Sequence, residues 1–251
     1  MKIGVLVKQV PDTEAKIRVV GDGSGIETGD IKWIVNPYDE FAVEEALKLK
    51  QSEGGEVVIF CLGPDRAQEA IRTALAMGAE RGVHVVDEPR DPWITASKLA
   101  AAIEGEAPDI LFAGRQAVDD DAVQVPVMVA ELLGWPHVSS ISTFAFADGK
   151  VTANRVVGGG VTMVTQTALP GMFTCDKSLN EPRYTGLPGI MKARRKPIAK
   201  PDGLPDSEPL LTLSNFRLPE ERPGGRIIGG ESVGEKVSEL VRLLREEAKV
   251  I

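Results

Sequence analysis

Two cysteines and two histidines are all that 251 residues offer of the side chains most used in covalent and metal chemistry. Cys61 and Cys175 lie far apart, each inside an apolar run, which argues against a disulfide framework. His84 falls in a strand-like run and reads as a packed or edge residue, while His137 follows Trp135-Pro136 and reads as a turn residue. Neither has the cysteine, histidine or carboxylate spacing of a zinc site. The one G-x-S-x-G string, Gly230 to Gly234, follows no apolar strand run and its Ser232 belongs to a helix capping box, so it makes no nucleophile elbow, and there is no G-x-x-x-x-G-K-[ST] phosphate loop. The turn after the first apolar run is Lys8-Gln9-Val10-Pro11-Asp12 rather than G-x-G-x-x-G, and Gly21, Gly23 and Gly25 have the wrong spacing for that dinucleotide fingerprint. Without nucleophile, base or metal cluster the chain makes a poor self-contained enzyme, and no catalytic or metal residue is assigned. No apolar run approaches the ~20 residues that span a bilayer. Met1 to Val7 meets Lys8, Gln9 and Asp12 too soon for a signal peptide, so a cytoplasmic protein is expected. Lys and Arg number 29 against 37 Asp and Glu, for a net charge of −8, which argues against a nucleic-acid partner.

What is present is ordinary globular material, 43% apolar and 26% charged, in a length that suits one large domain or a domain with an appendage. Ile3-Gly4-Val5-Leu6-Val7 is a continuous apolar run of the kind that parallel strands buried on both faces show. Ile17 to Val20 and Ile31 to Val35 read as strands, with Gly21 to Gly25 as a hairpin turn. Asn36-Pro37-Tyr38-Asp39 reads as a helix start: Asn as N-cap, Pro in the first turn, an acid near the positive end of the dipole. The unit then repeats. Val57 to Leu62 is a strand, and a helix bearing Ala67, Ala70, Ile71, Ala74 and Leu75 closes at Gly78. Val83 to Val86 is a strand, and Asp91-Pro92 opens a helix with Ile94, Leu99 and Ile103. Ile110 to Ala113 is a further strand, and the helix from about Val123 to Leu133 is apolar nearly all round and expected to be buried. This alternation means a doubly wound, mostly parallel α/β sheet.

From His137 short strands follow at Phe144 to Phe146, Lys150 to Ala153, Gly160 to Gln166 and Met172 to Cys175, some of them antiparallel, with a helix somewhere within Tyr184 to Arg195. Residues from about Pro197 to Gly234 carry six of the 17 prolines and read as an extended arm. The chain closes on a helix with a Ser232–Glu235 capping box and a stripe of Val237, Leu240, Val241, Leu244 and Ala248, which needs a surface to bury against. The expected division is a nucleotide-binding α/β domain at 1–197, then an arm and terminal helix at 198–251 that pack on a partner subunit.

An open parallel sheet binds ligands beyond the carboxyl ends of its strands, at the switch point. Lys8 to Asp12, Asn36 to Asp39, Leu62 to Asp65 and Gly114 to Val125 fall there, and two of these lead into helix N-termini suited to a phosphate. Asp119-Asp120-Asp121 reads as first-turn acids with a ribose hydrogen bond, or as ligands for a divalent cation. A second feature sets apolar Leu187, Ile190 and Met191 beside the basic Lys192, Arg194, Arg195 and Lys196. It reads as basic residues at a helix C-terminus, or as a docking loop for an acidic partner.

Five stretches resemble the β subunits of electron transfer flavoproteins: Val7 to Asp12, Asn36 to Ala46, Ile71 to Ala79, Gly114-Arg115-Gln116-Ala117-Val118-Asp119-Asp120-Asp121, and Leu179-Asn180-Glu181-Pro182-Arg183-Tyr184. The likeness runs end to end and in order. It implies an adenine-nucleotide α-hydrolase-like fold and a heterodimer with an α subunit that holds most of one FAD. It further implies acyl-CoA dehydrogenases as electron donors, a membrane quinone oxidoreductase as acceptor, and AMP bound structurally by this chain. Carried over by position, the nucleotide site is Leu6, Asn36, Pro37, Tyr38, Asp39, Leu62, Gly114, Arg115, Gln116, Ala117, Val118, Asp119, Asp120, Asp121, Ala122, Val123, Gln124 and Val125, with Tyr38 near the flavin. The docking segment is Arg183, Tyr184, Thr185, Gly186, Leu187, Pro188, Gly189, Ile190, Met191 and Lys192, with Leu187 as anchor.

Where AMP-binding members carry Asn-Gln-Thr-Gly, this chain reads Val123-Gln124-Val125-Pro126, keeping only Gln124. Electron-bifurcating members, which place a second FAD there, share Gln124-Val125 but have Gly where Asp120 stands. Three readings follow: an electron carrier subunit with AMP, a bifurcating subunit with a second FAD, and a free-standing adenine-nucleotide sensor.

Overall fold

A computed structural model describes residues 1–220 and 224–251. The chain divides into two compact units, Met1–Phe216 and Arg217–Ile251. In order the elements are β1 (Lys2–Leu6), β2 (Gln9–Pro11), β3 (Trp33–Val35), α1 (Pro37–Glu53), β4 (Glu56–Gly63), α2 (Gln68–Met77), β5 (Arg81–Val86), α3 (Pro92–Glu106), β6 (Ile110–Gly114), α4 (Val125–Leu132), β7 (His137–Ala147), β8 (Lys150–Gly158), β9 (Val161–Ala168), β10 (Gly171–Cys175), α5 (Leu187–Ala193), β11 (Ile198–Ala199) and α6 (Val233–Glu246).

Nine strands form one sheet in the order β11-β5-β4-β1-β6-β10-β7-β8-β9. From β11 to β7 every pairing is parallel; β7, β8 and β9 extend the sheet as an antiparallel meander. Strand alternation explains why the central strands are apolar throughout. Ile3, Val5, Ile59 and Phe112 face one layer, shared with Val43, Ala46 and Leu47 of α1 and Ile71 and Leu75 of α2. Leu6, Val58, Phe60 and Leu111 face the other, shared with Leu99 and Ile103 of α3 and Val129 of α4. Helices on both faces and a mostly parallel sheet make this the doubly wound α/β fold expected. Cys61 and Cys175 are free and buried in this core, where desolvation pushes both thiols up.

Four expectations need correction. Ile17 to Val20 is not a strand: only a Val19–Ile26 bridge closes the Gly-rich turn, and Trp33–Val35 pairs instead with Gln9–Pro11. The physical reason is burial, since Val10 and Val35 enter the interior while Ile17, Val19 and Val20 do not. His137 opens β7 rather than forming a turn. The helix expected from Val123 begins at Val125, because Val123 has φ 55°, outside the helical region. That helix is also not buried: only Val129 and Ala130 are, because α3 and β10 cover one side of it, and Leu132 stays 41% exposed.

His84 is packed as expected, its Nε2 3.0 Å from the Gly63 carbonyl oxygen. The expected arm holds one short strand, β11, which pairs with β5; its part at 221–223 lies outside the described residues. Asp91 caps α3 by accepting from the Ile94 N–H and also accepts from the Leu210 and Leu211 N–H groups, tying that stretch of arm to the helix start. In the second unit Ser232 accepts from the Glu235 N–H at the start of α6, and Glu235 accepts from the Glu231 N–H, so both members of the capping box are engaged. Val237, Leu240 and Val241 on α6 are exposed.

Candidate functional site

The order of strands reverses about β1, which has β4 on one side and β6 on the other. Leu6, Leu62 and Gly114 come at or next to the carboxyl ends of these adjacent strands, and α1 starts beside them. Asp39 holds the junction together. One carboxylate oxygen accepts from the Lys8 N–H at 2.7 Å; the other accepts from the Gly114 N–H at 3.1 Å and from Asn36 Nδ2 at 2.9 Å. Burial pushes the Asp39 carboxyl up, to about 7, against the pull of those donors.

Asn36 sits at the N-cap position, as expected, but its side chain caps nothing. Its amide also donates to the Gln116 carbonyl oxygen at 2.9 Å, and its Oδ1 accepts from the Val118 N–H at 3.2 Å. Asn36 therefore fixes the loop after β6 rather than its own helix. Asp119 and Asp120 accept from one donor, Lys8 Nζ, at 2.8 and 2.9 Å, and Asp121 accepts from Gln116 Nε2. Burial pulls the Lys8 ammonium down, but the two carboxylates outweigh it and leave its pKa raised. Two of the three acids thus converge on an ammonium, and no group of three or more metal-ligating side chains forms among the described residues.

Arg115 Nη1 donates to Asp176 Oδ2 at 2.7 Å, and its guanidinium carbon lies 5.8 Å from the centroid of the Tyr38 ring. Beyond this loop Asp121 and Val123 both have positive φ, 51° and 55°, and Gln124 starts α4 without a side-chain cap. The first-turn amides of α4 at Val125 and Val127 have no intrahelical acceptor, and Pro126 has no N–H to add. The N-terminal end of α4, with its unpaired amides and the positive end of its dipole, follows directly on the loop that carries Asp119, Asp120 and Asp121.

The segment 183–192 lies elsewhere, on α1 and α2. Arg183 donates to both carboxylate oxygens of Glu44, at 2.7 and 2.9 Å, and Asn180 donates to Glu45 and to the Phe41 carbonyl. Tyr184, Leu187, Ile190 and Met191 are exposed. Sequence reasoning placed Lys8 among the switch-point segments without assigning it a role, and missed Asp176. Lys8 lies within a motif that was singled out; Asp176 gave no signal, because its partner Arg115 is 61 residues away.

Residues 25–203 match the family model of the electron transfer flavoprotein domain. The chain belongs to the electron transfer flavoprotein family. Among its relatives are electron transfer flavoprotein β subunits from Syntrophomonas wolfei, 45% identical over 90% of this chain and 88% of the relative, and from Bradyrhizobium diazoefficiens, 43% identical over the full length of both. The β subunit of mouse is 39% identical over 95% of this chain and 97% of its own. As an electron transfer flavoprotein β subunit the chain serves electron transfer in a flavoprotein, and the site above is to be understood in that setting. No helix among the described residues is long and apolar enough to cross a membrane.

Proposed function

We propose that this chain is the β half of a heterodimeric, cytoplasmic electron carrier and performs no chemistry of its own. Its α/β domain, residues 1–197, binds AMP structurally at the switch point. Residues 198–251 pack on an α subunit that holds most of the FAD, with Tyr38 near the flavin, and residues 183–192 dock acyl-CoA dehydrogenases. FAD supplies the redox step, and electrons leave for a membrane quinone oxidoreductase.

The observation that carries the reading is the Asp39 junction, which draws Lys8, Asn36 and Gly114 together at the switch point and leaves the α4 amides free for an anion. The residues present fit AMP in this way: the amides that open α4 and the Gln124 side chain toward the phosphate, Asn36 and Asp39 shaping the floor. Exposure of Leu210 and Leu213 in the first unit, and of Ile227 and Val237 in the second, supports a partner subunit for the arm.

The test is a nucleotide count. The complex is co-expressed with its α subunit and denatured, and the released nucleotides are separated and quantified. One FAD and one AMP per heterodimer are expected. Two FAD and no AMP would overturn the AMP assignment in favour of a bifurcating subunit, and a colourless, unpartnered protein would mean a free-standing sensor.

A further inference from the structure

Two of the motifs, Ile71 to Ala79 and the basic run Arg194 to Lys196, take no part in the nucleotide site, and the fold brings them together. Arg72 in α2 donates through one terminal nitrogen to the carbonyl oxygens of Ala193 and Lys196, at 2.6 Å each. Lys196 returns the contact, its Nζ donating to the carbonyl oxygens of Leu75, at 2.9 Å, and Ala79. Each cation thus satisfies one carbonyl in the last turn of a helix, Ala193 of α5 in one direction and Leu75 of α2 in the other, and one just beyond that helix, Lys196 or Ala79. Gly189 allows the close approach, since a Cβ there would lie 2.7 Å from the Ala76 carbonyl oxygen. Before α5, Glu44 accepts from the Arg183 side chain and from its N–H at 3.1 Å. Between these fastenings Leu187, Ile190 and Met191 stay 70, 42 and 61% exposed. A helix of seven residues does not persist in water by its own hydrogen bonds, so the fastenings account for its order.

We infer that Arg72, Lys196 and Glu44 are positioning residues that hold the 187–193 helix in its docking geometry before a partner arrives, so that a preformed apolar ridge rather than a loose loop meets the electron donor. The inference rests on the docking reading above. Its physical content is that the ordering cost of the segment is met during folding and not at each encounter.

The experiment uses the heterodimer with its α subunit, a purified acyl-CoA dehydrogenase with its substrate, and amide hydrogen exchange. Arg72→Ala and Gly189→Ala are each expected to raise the KM for the carrier about tenfold, with kcat held within about twofold. Exchange should quicken in 187–196 but not in 114–125, and nucleotide content should stay unchanged. Arg72→Lys should restore most of the loss. A lower melting temperature with KM and exchange unaltered would overturn the inference, leaving only a structural tie. Should Arg72→Ala fail to fold, Gly189→Ala carries the test with Arg72 intact. Leu187→Ala serves as the control: unchanged dehydrogenase kinetics there would remove the docking reading, and the exchange data alone would then decide whether the clamp orders the helix.

Discussion

The Gly114 N–H donates to Asp39 Oδ1 at 3.1 Å, and a Cβ on residue 114 would fall 2.3 Å from that same oxygen. The bond requires the missing side chain. Gly114→Ala also presses on the Tyr38 backbone, so it should drive α1 from β6 and cost about 2 kcal/mol of stability. Denaturant unfolding of the co-expressed heterodimer measures this. An unchanged midpoint would show that the junction tolerates the methyl.

The raised Asp39 carboxyl predicts a pH dependence with a definite sign. Its folded value of about 7 stands above an unfolded value near ~3.9, so the native state binds the proton more tightly over that interval. This contribution is fully present below the unfolded value and is lost as pH rises through about 7. Asp39→Asn abolishes the titration. Between pH 5 and pH 8 the natural protein should lose stability relative to the variant, and a constant difference would contradict the assignment.

Lys8 is the cation at which Asp119 and Asp120 meet. In Lys8→Gln those carboxylates stand without their cation, and the amides of 117–123 should exchange faster. A bound nucleotide anion would feel the added repulsion. Because the pair is partly solvated, the expected loss of AMP retention is modest, about threefold on dialysis. Full retention would show that the ion pairs do not shape the site.

Leu187→Ala should leave folding and flavin content intact yet slow electron transfer from acyl-CoA dehydrogenases, because it removes an exposed anchor worth ~2 kcal/mol on docking. Lys192, Arg194 and Arg195 are exposed around it, so the same rate should fall with added salt. A salt-insensitive rate constant would count against a basic docking rim.

The parts of this molecule legible in its sequence are those governed by neighbours along the chain. The apolar runs at Ile3 and Val57 announced buried strands, Gly78 the end of α2, and Ser232 with Glu235 the start of α6. Two of the failures have one cause. Ile17 to Val20 has strand composition but meets no apolar partner, and Val125 to Leu132 has the composition of a buried helix but is covered on one side. Asn36 was legible as a helix start, yet its side chain turns to Gln116 and Val118, some 80 residues on.

Composition, periodicity and capping were enough to specify a doubly wound α/β chain, to place its switch-point loops, and to mark the apolar residues of the 187–191 segment. Which charge meets which was settled by folding alone. Lys8 is 111 residues from Asp119, Arg72 is 121 from Ala193, and Arg183 is 139 from Glu44. Local hydrogen bonding and hydrophobic period act over a few residues, whereas these pairings depend on where the sheet order sets the helix ends, and that order arises only when the strands are assembled.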